Sequence, residues 1–520
     1  MKLAPTPHRS IGIMVAASLI SACCGVILTF SIPKFLSVDD FGVWRTFILY
    51  GGYAGLLHLG LVDGALLRWS GKSPHRGALS GRDAQGNRVS GDRIDPVDRI
   101  GPVPRKQLTS ALRFLAIQHL ALVGLAVIAL WLIHPGFAPR LFIALAGYAA
   151  LFNLVGLVQV YLQTGLRFAP VAFGMSGPTA LFVVALGGLA LSHVSVSRLL
   201  AGFLFAWAVT LAVLLWVAYR PQFGQPAEAN GERRPLRSIW RFGLDCVAVG
   251  WPIVLANTGY GLMQSADRVT VNLTRPLHDF AIYSLSQSTI YVPITILAAV
   301  SRVAFSWFAR ARQDAGEAGQ ARPGTSIYAS STRLLTLLWS LLLPYYFAVE
   351  WVVRRFLPRY IDGLPAGRIL LLSVIFLGLV GIIQLNTWSL EGRQRQFFLG
   401  SLLAVAVAFA TAWFGSVRLG SLTAVAWSQV LSATLWWLGN EWFLRDRKLL
   451  PMRDILTVLA TFTVSYAGLS LASLGSLSAV SRAAVYYILC AIPLASLYPG
   501  EFRAGWYALR QFQIPFQKKS

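Results

Sequence analysis

Apolar runs of about twenty residues recur along this chain, separated by short polar stretches. An α-helix rises about 1.5 Å per residue, so a run of about 20 crosses the hydrocarbon core of a bilayer. By that measure about fourteen helices are predicted. In the first half they span 11–32, 43–67, 108–133, 141–163, 169–191 and 196–219, and in the second 244–264, 280–305, 334–353, 369–390, 397–415 and 419–443. Two more follow at 455–474 and 483–497. The expected fold class is an all-α polytopic membrane protein.

The pattern repeats. Asp40-Phe41-Gly42-Val43-Trp44 returns as Asp279-Phe280-Ala281-Ile282-Tyr283 close to half the chain length later, each acidic residue just ahead of an apolar helix. An internal repeat of a membrane unit is the sequence sign of a transporter scaffold. Six predicted helices separate the copies, so both enter the membrane in the same direction and the repeat is parallel. The expected organisation is an N-lobe at 1–219, a cytoplasmic linker at 220–243, a C-lobe at 244–443, two further helices within 444–500 and a cytoplasmic tail at 501–520. The longest loop, 70–107, is rich in Gly, Arg, Asp and Pro and has no period, so it is expected to be disordered in the cytoplasm. Pro178, Pro252, Pro293 and Pro344 fall inside or beside apolar runs, where each removes a backbone donor and bends a helix.

Composition agrees with the pattern. With 56% hydrophobic and 13% charged residues among 520, an ordinary soluble domain is excluded. The net charge of +24 would suggest nucleic acid in a soluble chain. Here most of the 45 Lys and Arg lie in loops on one side of the predicted topology, which places both termini in the cytoplasm. Membrane topology therefore accounts for the charge, and no nucleic-acid partner is expected. Cys23, Cys24, Cys246 and Cys490 all lie in apolar runs and read as packing residues. No P-loop lysine motif is present, so ATP hydrolysis by that route is not expected.

Leu36-Ser37-Val38-Asp39-Asp40-Phe41-Gly42-Val43-Trp44, followed by His58-Leu59-Gly60-Leu61 and Arg68, resembles the opening of the polysaccharide repeat-unit flippases (Wzx type). These belong to the multidrug/oligosaccharidyl-lipid/polysaccharide (MOP) exporter superfamily. Asp267-Arg268, Phe280-Ala281-Ile282-Tyr283 and Ser301-Arg302-Val303-Ala304-Phe305 are similar to that family's seventh and eighth helices. The resemblance implies a MATE/MurJ-like architecture of two six-helix lobes plus two C-terminal helices, in the bacterial inner membrane. It implies a non-enzymatic flippase that moves a polyprenyl-diphosphate-linked oligosaccharide outward by alternating access, for exopolysaccharide, capsule or O-antigen. No cofactor is implied beyond H+ or Na+ coupling, and the implied partners are membrane lipid and other polysaccharide-assembly proteins. Two features depart from the family: the long 70–107 loop, and His58 where an acidic residue is frequent.

A flippase breaks no covalent bond but must carry a charged headgroup through a region where charge is costly. Phosphates call for Arg, whose guanidinium makes paired bonds to their oxygens, and sugars call for amides. The substrate-cavity candidates are Arg45, His58, Asn257, Gln264, Arg268, Gln287 and Arg302, and the ion-coupling candidates are Asp63 and Asp267. Arg354, Arg355 and Arg359 form a basic outer mouth. Each has a structural alternative: a snorkelling Arg45, an interfacial Asp63 paired with an Arg, an Asp267-Arg268 helix cap, and interfacial anchoring for the outer arginines. Glu350 and Glu391, near helix ends, carry the same ambiguity.

Other functions stay open at this level. A drug/cation antiporter of the same superfamily would favour acidic cavity residues over arginines. A membrane glycosyltransferase or polymerase would use Asp39-Asp40 as a metal site, although the loop holding them is short. A scaffold would recruit enzymes through 70–107.

Overall fold

In the computed structural model, the described residues are 7–70, 105–133, 139–191, 194–220, 236–290, 293–294, 324–390, 393–443, 450–474 and 477–500. Among them every regular element is a helix. Eleven of these helices are long and apolar enough to cross a membrane. Their outward faces carry large apolar side chains such as Leu120, Ile143, Val184 and Val480, as expected where the solvent is lipid. The protein is an all-α, multi-pass membrane protein.

The chain divides into two compact units, 1–261 and 262–520. The first contains α1 (Pro7–Phe35), α2 (Val38–Gly51), a 3₁₀ turn (Ala54–His58), α3 (Leu61–Trp69), α4 (Arg105–Ile133), α5 (Pro139–Thr164), α6 (Phe168–Ala190) and α7 (Val196–Tyr219). It also holds most of α8 (Leu236–Met263). Helix α5 is its hub, packing against α4, α7, α3 and the 3₁₀ turn, while α1 lies along α6. Trp44, Phe47, Tyr148, Phe182 and Phe203 fill the space between α2, α5, α6 and α7 with ring contacts near 5.5 Å.

The second unit has α9 (Ala266–Thr274), α10 (Leu277–Ser288), α11 (Gly324–Leu342), α12 (Tyr345–Phe356) and α13 (Leu364–Gly378). A π-helical turn, Leu379–Gln384, carries α13 into α14 (Leu385–Leu390). Then come α15 (Gln394–Trp413), α16 (Leu422–Phe443), α17 (Met452–Ala472) and α18 (Ala479–Leu497). Burial identifies the centre. The apolar window of the Pro358–Trp388 run is 89% buried, against 11% for Gly12–Phe35 in the first unit. Helix α13 is packed by α10 and α16, with α15 on α16, α11 on α17 and α12 on α18.

Local chemistry explains several boundaries. Ser37 caps α2, its Oγ accepting from the Asp40 N–H at 3.1 Å, and Asp39 and Asp40 occupy the positive first turn. The Asp-Asp pair thus has a helix-starting role. Helices α4 and α8 begin at Arg105 and Leu236, several residues before their apolar runs, because a helix satisfies its own backbone and continues past the hydrocarbon edge. So 105–107 and 236–243 are helical where the sequence suggested loop and linker, and Gln107 accepts from the Trp69 indole at 3.0 Å. Residues 71–104 of the 70–107 loop and the 501–520 tail lie outside the described residues. Pro178 and Pro252 sit inside unbroken helices, whereas Pro344 separates α11 from α12.

The largest correction concerns the helix predicted at 43–67. It is three pieces, α2, the 3₁₀ turn and α3, joined through Leu59 at φ 47° and Gly60 at φ 89°. Both residues are in the left-handed region, which ends a right-handed helix. The predicted helix at 280–305 starts earlier, at Leu277, and α10 ends at Ser288; of the remainder only 289–290 and 293–294 are among the described residues.

Candidate functional site

In each unit the candidate residues gather where a helix is broken. In the first unit the break exposes backbone carbonyls that lipid cannot satisfy. Side-chain amides from α4 and α5 take them: Gln118 Nε2 donates to the Leu57 carbonyl at 3.0 Å, and Asn153 Nδ2 donates to that of Ala54 at 2.8 Å. Asn153 Nδ2 also donates to His119 Nε2 at 2.7 Å. His119 Nδ1 faces the Leu115 carbonyl at 3.0 Å, so the ring is the neutral Nδ1–H tautomer. On the turn itself, His58 Nδ1 accepts from the Gly60 N–H at 3.0 Å, and its Nε2 lies 3.9 Å from Asp63 Oδ2. The candidates His58 and Asp63 are thereby brought together.

This break is pressed against α8. A Cβ on Gly64 would stand 1.8 Å from the Cys246 carbonyl oxygen, and one on Gly250 would stand 1.9 Å from that of Gly60. Gly60 and Gly64 face Cys246 and Gly250 at the same four-residue spacing, the small-residue pattern that lets membrane helices touch backbone to backbone. Below the contact, Arg68 pairs with Asp245 at 3.1 Å on an exposed face. Arg45, about two turns into α2, is buried at 9% exposure, with its guanidinium 5.9 Å from the Phe41 ring. Asn257 is exposed on α8.

The second unit has its own break at Gln264-Ser265, between α8 and α9. Amides answer it again. Gln429 Nε2, from α16, donates to the Met263 carbonyl at 3.2 Å. Gln287 Nε2, from α10, donates to that of Gln264 at 3.4 Å, and so does the Arg268 guanidinium. Asp267 is fully buried and accepts from Tyr283 Oη and from the Arg268 N–H, each at 2.7 Å. Gln264, Asp267, Arg268 and Gln287 therefore form one cluster. Asp267 is more than a helix cap, since its second oxygen is held by a residue of α10.

Two further groups of candidates fall elsewhere. Arg302 lies outside the described residues. Arg354, Arg355 and Arg359 are exposed, and Arg354 pairs with Glu350 at 2.9 Å, which Arg482 of α18 also holds at 2.8 Å. The sequence candidates omit Tyr283, which stands in the repeat itself as an aromatic position, and Gln118, His119, Asn153 and Gln429, which lie outside the helices flanking the repeated loops. Their signal is a lone amide or imidazole inside an apolar run. The described residues contain no group of three or more His, Cys, Asp or Glu able to hold a metal ion.

No family model matches the chain, and no curated protein matches it. Solved structures do. The lipid II flippase MurJ in an inward closed conformation is similar at 12% identity with a TM-score of 0.66, covering 94% of this chain and 99% of that one. An outward-facing multidrug resistance MATE family transporter of the MOP superfamily is similar at 14% identity and TM-score 0.53, with 86% and 98% covered. A MOP superfamily transporter from Pyrococcus furiosus is similar at 12% identity and TM-score 0.52, with 86% and 98% covered. The chain shares the fold of these proteins over nearly its whole length.

Proposed function

We propose that this protein is a flippase that moves a polyprenyl-diphosphate-linked oligosaccharide from the inner to the outer leaflet of a bacterial inner membrane by alternating access, for surface polysaccharide synthesis. The observation that carries the reading is the burial of two arginines, Arg45 in the first unit and Arg268 in the second. Taking a guanidinium out of water is costly, so a buried arginine calls for a role that repays it. A diphosphate is the ligand that its planar fork fits best. The shared fold with a lipid-linked-substrate flippase adds support. In this reading the amides at the two breaks meet sugar hydroxyls, and the polyprenyl tail stays in lipid.

The test is flipping of a fluorescent oligosaccharide-diphosphate-polyprenol in proteoliposomes. Native protein is compared with Arg45→Ala, Arg268→Ala and the surface variant Arg68→Ala at matched reconstitution. Loss of one charge-assisted phosphate contact, about 1.5–3 kcal/mol, lowers the rate about tenfold or more in the first two and leaves the third unchanged. Full-rate flipping in both buried-arginine variants removes their assigned role. Absence of flipping in native protein with several lipid-linked sugars, together with export of cationic dyes, turns the assignment to the drug antiporter.

A further inference from the structure

In the first unit, α4 and α5 enclose between them a groove of about 550 Å3, a volume typical of ligand sites. It opens toward lipid: Leu120 and Ile143, which line it, are 86% and 72% exposed. Small side chains leave the space, Ala116 and Gly124 from α4 and Ala146 and Ala150 from α5. Along α4 the groove runs from Leu115 to Val127, a rise of about 18 Å. Glycine inside a helix is unfavourable relative to alanine, and helix packing does not require it at Gly124, where a Cβ would meet nothing within 4 Å. Its structural effect is to keep the groove open.

The groove shares its inner wall with the broken segment between α2 and α3. His119 lines it and is bonded to Asn153, the residue that donates to the Ala54 carbonyl. Val123 lines it too, and clusters with Ala54 and Ala149. Val127 and Ala146, also in the lining, pack against that cluster together with Leu57 of the 3₁₀ turn. The same side chains therefore face the groove and support the turn.

We propose that this groove is a lipid-binding site that seats one acyl chain of a membrane phospholipid, and that the seated chain backs the side chains holding the turn. The inference goes beyond the transport reading and does not depend on the substrate. Both walls belong to membrane-spanning helices and the rim faces lipid, so the occupant is a hydrocarbon chain. One leaflet of hydrocarbon is about 15 Å deep, so a single chain lying along α4 fills most of the groove. A chain between two helices gains dispersion contacts on both sides, whereas one lying on a flat helical face gains them on one. That difference separates a seated chain from ordinary boundary lipid.

Photolabelling of the full-length protein in liposomes tests this, with a phosphatidylethanolamine that carries a diazirine midway along one acyl chain. Adducts are mapped by peptide mass spectrometry. Val184 of α6 and Ile488 of α18, each 72% exposed, report ordinary boundary lipid. Adducts on 115–127 and 142–154 should exceed those on these two faces about fourfold or more, the ratio set by burying one further CH2 group. Gly124→Leu fills the groove and should bring its labelling down to that of the two faces, leaving theirs unchanged. Hydrogen exchange at 54–60 should slow when phospholipid is returned to delipidated native protein, and not in Gly124→Leu. Equal labelling of all three surfaces in native protein means boundary lipid only and overturns the proposal. So does displacement of the groove label by polyprenyl phosphate but not by excess phospholipid, which assigns the groove to a different chain. Exchange at 54–60 that ignores lipid overturns the link to the turn. If Gly124→Leu does not fold, the native labelling ratio, displacement and exchange decide.

Discussion

Replacing Gly64 with alanine adds one methyl group, yet it should be among the most damaging small changes in the first unit. The new Cβ would lie 1.8 Å from the Cys246 carbonyl oxygen, 2.6 Å from its carbon and 2.9 Å from its Cα. All three are backbone atoms, so no rotamer change relieves the clash and α3 must retreat from α8 by more than an ångström. A gap of about 0.5–1 Å already forfeits a quarter to a half of the dispersion energy along a contact. Overpacking typically costs about 1–3 kcal/mol, and this rigid case belongs at or above the upper end. Gly156→Ala is the control. Its Cβ would meet only Val62 Cγ1 at 3.8 Å, so the helix-propensity gain of about 0.5–1 kcal/mol is free to appear. Equilibrium unfolding in mixed micelles should separate the two variants by about 3–4 kcal/mol. Gly64→Ala combined with Gly250→Ala should cost less than the sum, since both push the same pair of helices apart. A Gly64→Ala protein as stable as native to within about 0.5 kcal/mol would refute the backbone contact and the account of the break built on it.

Three other outcomes are expected. Asn153→Leu leaves the Ala54 carbonyl and His119 Nε2 without their donor, costing about 1–3 kcal/mol, and hydrogen exchange should quicken at residues 54–60 before it changes elsewhere in the unit. Tyr283→Phe removes the donor on the second oxygen of fully buried Asp267 and should cost about 1.5–3 kcal/mol in the same unfolding assay. Arg333→Met strips the cation from Asp454, which is 1% exposed, and should cost about 3–5 kcal/mol, whereas Arg68→Met breaks an exposed pair and should cost no more than about 1 kcal/mol. Equal costs for those last two variants would count against using burial to rank the ion pairs.

The physical origin of the apolar runs is also what limited their reading. Hydropathy reports where a helix lies in hydrocarbon, so the spans were legible while their ends were not: α8 starts at Leu236 through Arg237 and Arg241 because hydrogen bonding, not burial, sustains its first turns. The same measure is blind to a break. From Phe47 to Leu67 the chain is apolar except for His58 and Asp63, and only its glycines, Gly51, Gly52, Gly55, Gly60 and Gly64, hint that its backbone leaves the helix. Composition also cannot tell a polar side chain that faces a substrate from one that serves the backbone. Gln264, Arg268 and Gln287 were picked as headgroup ligands, and each engages the break at Gln264-Ser265. The two roles are linked. A membrane helix can be interrupted only where its freed carbonyls find donors other than water, and a donor held at such a point is also fixed in place for a ligand. Gln118, Asn153, Gln287 and Gln429 are amides within helices, and all four donate to carbonyls at a break. Gln384, a fifth, donates to the Trp437 carbonyl beside the π-turn. In this chain, then, Gln118, Asn153, Gln287 and Gln429 each mark irregular backbone facing them on another element.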